Sequence, residues 1–135
     1  MIKNYLLNNN SILFGTSSFW EGVDLPNDKL EILIILKVPF SNPYNPIVQA
    51  KIEQYKNKNI DPFINYQLSE AILKLKQGFG RLIRHQDDSG VCILADSRIL
   101  NKSYGRIILD SLPVDYINYN SSAIIVNEID KFLGK

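Results

Sequence analysis

Three short apolar runs, Ser11 to Thr16, Glu31 to Val38 and Val91 to Asp96, are separated by stretches whose apolar residues recur at helical spacing. Each run is too continuously apolar for a strand with one wet face, so each is expected to be a strand buried on both faces. Such strands joined by helical connections define an α/β fold, a parallel sheet flanked by helices. Helices are expected at Ile47 to Asn57, at Tyr66 to His85 with room for a break near Gly78 and Gly80, at Tyr104 to Ser111 and at Ala123 to Leu133. Ser121 or Ser122 suits the cap of the last. Pro39, Pro43 and Pro46 punctuate the loop after the second run, and Lys56-Asn57-Lys58-Asn59 with Asp61-Pro62 marks another exposed turn.

The 135 residues fit one domain, residues 1–135, large enough to bury about two thirds of its unfolded surface. With 15 basic and 14 acidic residues the net charge is +1, so the chain lacks the broad basic field of proteins that bind nucleic acid by charge alone. Any such contact has to be local. A single cysteine, Cys92, excludes an internal disulfide and any cysteine-built zinc or iron-sulfur site of this chain alone, which fits a reducing, cytoplasmic setting. The longest apolar run, Ile32 to Leu36, is too short to span a bilayer, and Met1-Ile2-Lys3-Asn4 opens no signal peptide. The expectation is therefore no membrane partner and no metal ligated by this chain.

The segment Gln77-Gly78-Phe79-Gly80-Arg81-Leu82-Ile83-Arg84 sets a glutamine and two arginines at spacings of four and three. At about 100° per residue, Ile72, Leu75, Phe79, Leu82 and Ile83 gather on one side, the side that faces a core. Gln77, Arg81 and Arg84 fall together on the other. An arginine fork offers several fixed donors to phosphate oxygens and stays charged at working pH, so two forks over one spot suit an anion whose charge shifts during a reaction. The same pattern also fits a solvated polar face. Gly78 and Gly80 inside a helix cost about 1 to 2 kcal/mol together relative to alanine. A close backbone approach, or a helix beginning only at Gly80, would explain them.

In an open parallel sheet, ligands bind beyond the carboxyl ends of the strands. After the first run comes Gly15-Thr16-Ser17-Ser18-Phe19-Trp20-Glu21-Gly22-Val23-Asp24-Leu25-Pro26. Its hydroxyls and backbone N–H groups can hold phosphate or ribose oxygens. Asp24 fits either a sugar hydroxyl or an arginine partner, or a turn or cap; Phe19 and Trp20 fit either base stacking or packing beside a strand.

Phe19 to Pro26, followed by Gln77 to Arg84, resembles motifs V and VI of superfamily 2 helicases of the DinG/XPD branch. The likeness extends through Val38-Pro39-Phe40, Pro46, Lys76, Asp96-Ser97-Arg98, Tyr104-Gly105 and Ser111-Leu112-Pro113, and so covers nearly all of Ser11 to Pro113. The resemblance implies the second of two RecA-like motor domains, which closes onto ATP held by the first and moves along single-stranded DNA. It makes Arg84, with Arg81 beside it, the finger that reaches the ATP phosphates, Gln77 their polar partner and Gly80 part of the nucleotide-facing surface. Glu21, Gly22 and Asp24 become the residues that couple nucleotide to DNA, and Thr16, Ser17 and Arg98 candidates for the DNA backbone. For Arg98 a salt bridge to Asp96 or an exposed turn fits equally.

Departures fall in loops. Asn27 stands where the family usually has glycine, Asn45 where it has aspartate, and Ser69 where it often has proline at the start of the motif VI helix; serine can cap a helix there. No Gly-x-x-x-x-Gly-Lys-Ser/Thr loop and no Asp-Glu pair for magnesium are present. The chain by itself is therefore expected not to hydrolyse ATP; ATP, Mg²⁺ and any iron-sulfur cluster belong to a first half, supplied by a longer parent or by a partner chain. Two other classes remain open. A dinucleotide-binding enzyme is disfavoured, because Ile83 occupies the place of the third glycine after Gly78 and Gly80 and the segment follows a helical pattern instead of a strand. A non-catalytic binding module with the same fold would show DNA or protein affinity indifferent to nucleotide. His85 reads as a surface or helix-end residue and Cys92 as core.

Overall fold

The computed structural model describes residues 2–8, 11–16, 30–85 and 87–134. In chain order these form α1 (Ile2–Leu7), β1 (Ile32–Ile35), α2 (Pro46–Asn57), a π-helical turn (Phe63–Leu68) running directly into α3 (Ser69–Leu82), β2 (Val91–Leu94), the single turn α4 (Arg98–Asn101), α5 (Tyr104–Ser111) and α6 (Ser122–Leu133). β1 and β2 pair in parallel, Ile32 opposite Val91 through Ile35 opposite Leu94. Val91 N–H to Glu31 C=O and Ala95 N–H to Ile35 C=O, both 2.9 Å, close the ladder at its two ends. A parallel pair needs a long crossover, and here α2, the π-helical turn and α3 supply it. The expected α/β class holds.

Two expectations about the strands do not. Ser11–Thr16 is irregular, and its Ile12 and Phe14 are 82% and 80% exposed. Three apolar residues make a strand only where a neighbouring edge takes their backbone N–H and C=O groups, and this segment joins neither described strand. Nor is the sheet buried on both faces: Ile34 and Leu36 are more than half exposed and every residue of β2 is only half-buried.

Local chemistry sets the helix ends. Asn45 Oδ1 accepts from the Ile47 N–H at 2.9 Å and Pro46 takes the first helical position, so the asparagine does the capping that an aspartate would do. Ser69, expected as a cap, is none. The π-helical turn runs straight through it, so its N–H is already inside a helix and its Oγ instead donates to Ile64 C=O at 3.1 Å. α3 then continues unbroken through Gly78 and Gly80 and stops at Leu82, with Ile83 extended (φ −121°, ψ 108°). The expected helix to His85 is thus three residues too long. Past Ile83, whose N–H makes the last helical bond to Phe79 C=O, the N–H groups of Arg84 and His85 go to the carboxylate of Asp88. Ser121 precedes α6 in extended backbone but makes no side-chain cap, and α6 has no fully buried residue.

The core lies between β1, α3 and the α4–α5 corner: Ile35, Val38, Leu68, Ala71, Leu75, Ile99, Ile108 and Leu109. Leu75, Phe79 and Leu82 are buried as their periodicity requires, joined by Ala71 and Gly78, while Ile72 and Ile83 are half-buried. Phe40, Phe63 and Tyr104 close one end as a trio with centroids 5.1 to 5.7 Å apart. Gly105 is required here, since a Cβ would fall 1.8 Å from the Ile99 carbonyl oxygen and force α4 from α5.

Candidate functional site

Burying the Leu75, Phe79 and Leu82 stripe turns the opposite side of α3 outward. Gln77 and Gly80 are exposed and Arg81 half-buried on this side. Gln77 and Arg81, one helical turn apart, therefore share a face, as their spacing requires. A Cβ on Gly80 would meet nothing within 4 Å. Neither explanation of the helical glycines, a helix beginning at Gly80 or a neighbour of this chain pressed against it, applies to Gly80 among the described residues; its missing side chain leaves bare backbone on the outer face.

Arg84 is brought to this end of the helix by a different device. It is not on the α3 face but two residues beyond it, half-buried with its Nη2 shielded from solvent. Asp88 Oδ2 accepts from the main-chain N–H of both Arg84 and His85, each at 2.8 Å, and the Asp88 N–H donates back to His85 C=O at 3.2 Å. Those two backbone donors are the first cause holding the Asp88 carboxyl below the usual range. Gly90 seals the return of the loop, since a Cβ there would stand 2.5 Å from Leu82 Cδ1.

A second anchor sits at the carboxyl ends of the strands. Asp96 Oδ2 accepts from Val38 N–H at 2.8 Å, joining the segment after β1 to that after β2; Oδ1 accepts from Arg98 N–H at 3.0 Å. The Arg98 guanidinium grips the same carboxylate, Nη2 to Oδ2 at 2.6 Å and Nε to both oxygens. Hydrogen bonds from Arg98 lead and the backbone donors assist in holding Asp96 at about 2, against the opposing pull of burial. The Asp96 side chain is 6% exposed and that of Arg98 39%, so the salt bridge anticipated for Arg98 is present and part of the Arg98 side chain still reaches solvent. An open cavity of about 460 Å³ lies here, lined by Leu36, Lys37, Ala95, Asp96, Ser97 and Arg98.

Of the other anticipated residues, Thr16 is exposed at the end of the irregular Ser11–Thr16 segment. Ser17, Glu21, Gly22 and Asp24, with Phe19 and Trp20, lie outside the described residues. His85 is exposed, and its main-chain N–H donates to Asp88. Cys92 packs against the core and burial pushes its thiol up to about 11, so it is a hydrophobe here and no nucleophile. Among the described residues no group of three or more His, Cys, Asp or Glu side chains could hold a metal ion, and no helix is long and apolar enough to cross a membrane. Sequence reading missed Asp88 and the role of Asp96. The available signals were an aspartate four residues after the second arginine, near a glycine, and an aspartate ending an apolar strand before arginine.

The described fold is α/β, and it presents glutamine, glycine and arginines at or just beyond the end of one helix. Residues 1–115 match the helicase C-terminal domain, and the chain belongs to that family. It is 43% identical over 113 residues to the ATP-dependent DNA helicase YoaA of Escherichia coli (strain K12), covering 84% of this chain and 18% of that protein. Identity to the 3'-5' exonuclease DinG of Bacillus subtilis (strain 168) is 42% over 118 residues, 87% of this chain and 13% of that protein. With the ATP-dependent DNA helicase DinG of Photobacterium profundum it is 50% over 103 residues, 76% and 15% respectively. The chain thus spans less than a fifth of the length of these relatives.

Proposed function

We propose that this chain is the second, RecA-like motor domain of an ATP-dependent DNA helicase, closing onto ATP held by a first motor domain in the same polypeptide or in a partner chain. One observation carries the reading: Gln77, bare Gly80 and Arg81 lie on the outward side of α3, and Arg84 leaves its end from a main chain held by Asp88. As a phosphoryl group departs, charge gathers on phosphate oxygens, and guanidinium forks already in place stabilise that charge without having to reorganise. Arg84 and Arg81 take that role, Gln77 steadies the phosphates or the attacking water, and Gly80 lets the nucleotide or the first domain approach the helix backbone.

Magnesium would neutralise charge between phosphates. The ion belongs with the first domain, and no step here passes through it. Glu21, Gly22 and Asp24 link the nucleotide site to DNA; Thr16, Ser17 and the exposed side of Arg98 belong to the single-stranded DNA path. Without a phosphate-cradling loop the chain alone turns over no ATP.

Separation from a non-catalytic binding module needs the assembled enzyme. DNA-stimulated ATP hydrolysis by this domain joined to its first half supports the motor reading. DNA affinity that is the same with and without nucleotide, and no hydrolysis, supports the module.

A further inference from the structure

Motif spacing alone places Arg84 on the α3 face, yet the helix ends two residues before it, so something other than helical geometry must fix where this arginine points. The loop that follows supplies it. One carboxylate oxygen of Asp88 takes two successive main-chain donors, Arg84 N–H and His85 N–H, both at 2.8 Å, and the Asp88 N–H closes the turn on His85 C=O. A single acceptor shared by adjacent N–H groups fixes the orientation of both peptide planes, and with them the Cα–Cβ direction of the residue between. On the far side Gly90 packs close against the Leu82 side chain, so a Cβ there would require Leu82 to shift.

We propose that Asp88 is a positioning residue for Arg84: by clamping the main chain at and after Arg84, it sets the direction in which the side chain starts from the backbone. This rests on the reading of Arg84 as the phosphate-contacting arginine. Asp88 itself touches no nucleotide in this scheme. Its effect passes entirely through Arg84, and this sets the role apart from a merely stabilising turn.

The test uses the complete helicase containing this domain, with saturating single-stranded DNA, and follows kcat and KM for ATP together with thermal unfolding in Asp88→Ala, Asp88→Asn, Arg84→Ala and the Asp88→Ala/Arg84→Ala pair. A displaced arginine predicts about a 10- to 100-fold lower kcat in Asp88→Ala with KM for ATP within about twofold. Asp88→Asn, whose amide oxygen accepts the same two N–H groups, recovers most of the rate. In the Arg84→Ala background the Asp88→Ala change costs nothing further, because the residue it positions is gone. Losses that multiply in the double variant, a wild-type kcat in Asp88→Ala, or no recovery in a folded Asp88→Asn each overturn the positioning role. Should Asp88→Ala fail to fold, Asp88→Glu, which keeps the charge and moves the oxygen, is read by the same criteria. An Arg84→Ala enzyme with unchanged hydrolysis refutes the underlying reading instead, so the two failures are distinct.

Discussion

Asp96 and Asp88 each hold an arginine, and they hold them by opposite ends. At the strand edge Asp96 grips the guanidinium of Arg98 and ties it to Val38, 58 residues away in sequence. At the end of α3, Asp88 takes the main chain at Arg84, through donors three and four residues away. A buried carboxylate on a guanidinium makes the arginine part of the frame; a carboxylate on the main chain fixes where an arginine begins and leaves its function to whatever its side chain meets. A salt bridge seen at an arginine thus says little about function until it is known which part of the residue is held.

The difference can be broken first at the frame. Removing the buried carboxylate in Asp96→Ala leaves Val38 N–H and the Arg98 guanidinium without their acceptor, an expected loss of about 3 kcal/mol or more in urea unfolding. A loss below about 1 kcal/mol would mean that water replaces the carboxylate and the frame role is wrong.

Acid sharpens the same point. The folded Asp96 carboxyl titrates at about 2 against an ordinary 3.8, so the folded state favours its ionised form. Its contribution is whole above pH 4 to 5 and fades as pH falls through 4 toward 2, about 2 kcal/mol in all. Asp96→Asn should flatten that part of the stability–pH curve. An unchanged curve assigns the acid sensitivity to other groups.

The smallest effect separates stability from function at the outer face of α3. Gly80→Ala adds a methyl into open space and should stabilise the helix by about 1 kcal/mol. If nucleotide or the first domain comes against this backbone, the same change slows ATP hydrolysis by about tenfold, 1.4 kcal/mol in activation free energy. A more stable and fully active variant would place the contact elsewhere.

What the sequence made legible follows from the range of the forces involved. The α/β class, the spans of α2, α5 and α6, and the buried stripe of Leu75, Phe79 and Leu82 rest on local periodicity, and the structure carries them. Ser11–Thr16 went wrong because a strand is made by its neighbour, which periodicity does not report. The end of α3 was misjudged because a helical pattern runs on through Ile83 while the competing acceptor, Asp88, waits beyond it. Asp96 was seen only as one possible partner for Arg98; its bond to Val38 is invisible until the two strands are side by side. Gly80 was legible as an oddity and became informative only once the space around it proved empty.

The most direct test of the account is DNA-stimulated ATP hydrolysis by the full helicase containing this domain, or by this domain mixed with its cognate first half, comparing wild type with Arg84→Ala. A loss of about a hundredfold or more, in a protein still folded and still binding ATP, is the predicted result. Unchanged hydrolysis would remove Arg84 from the reaction and contradict the assignment of this domain as the arginine-donating half of a motor.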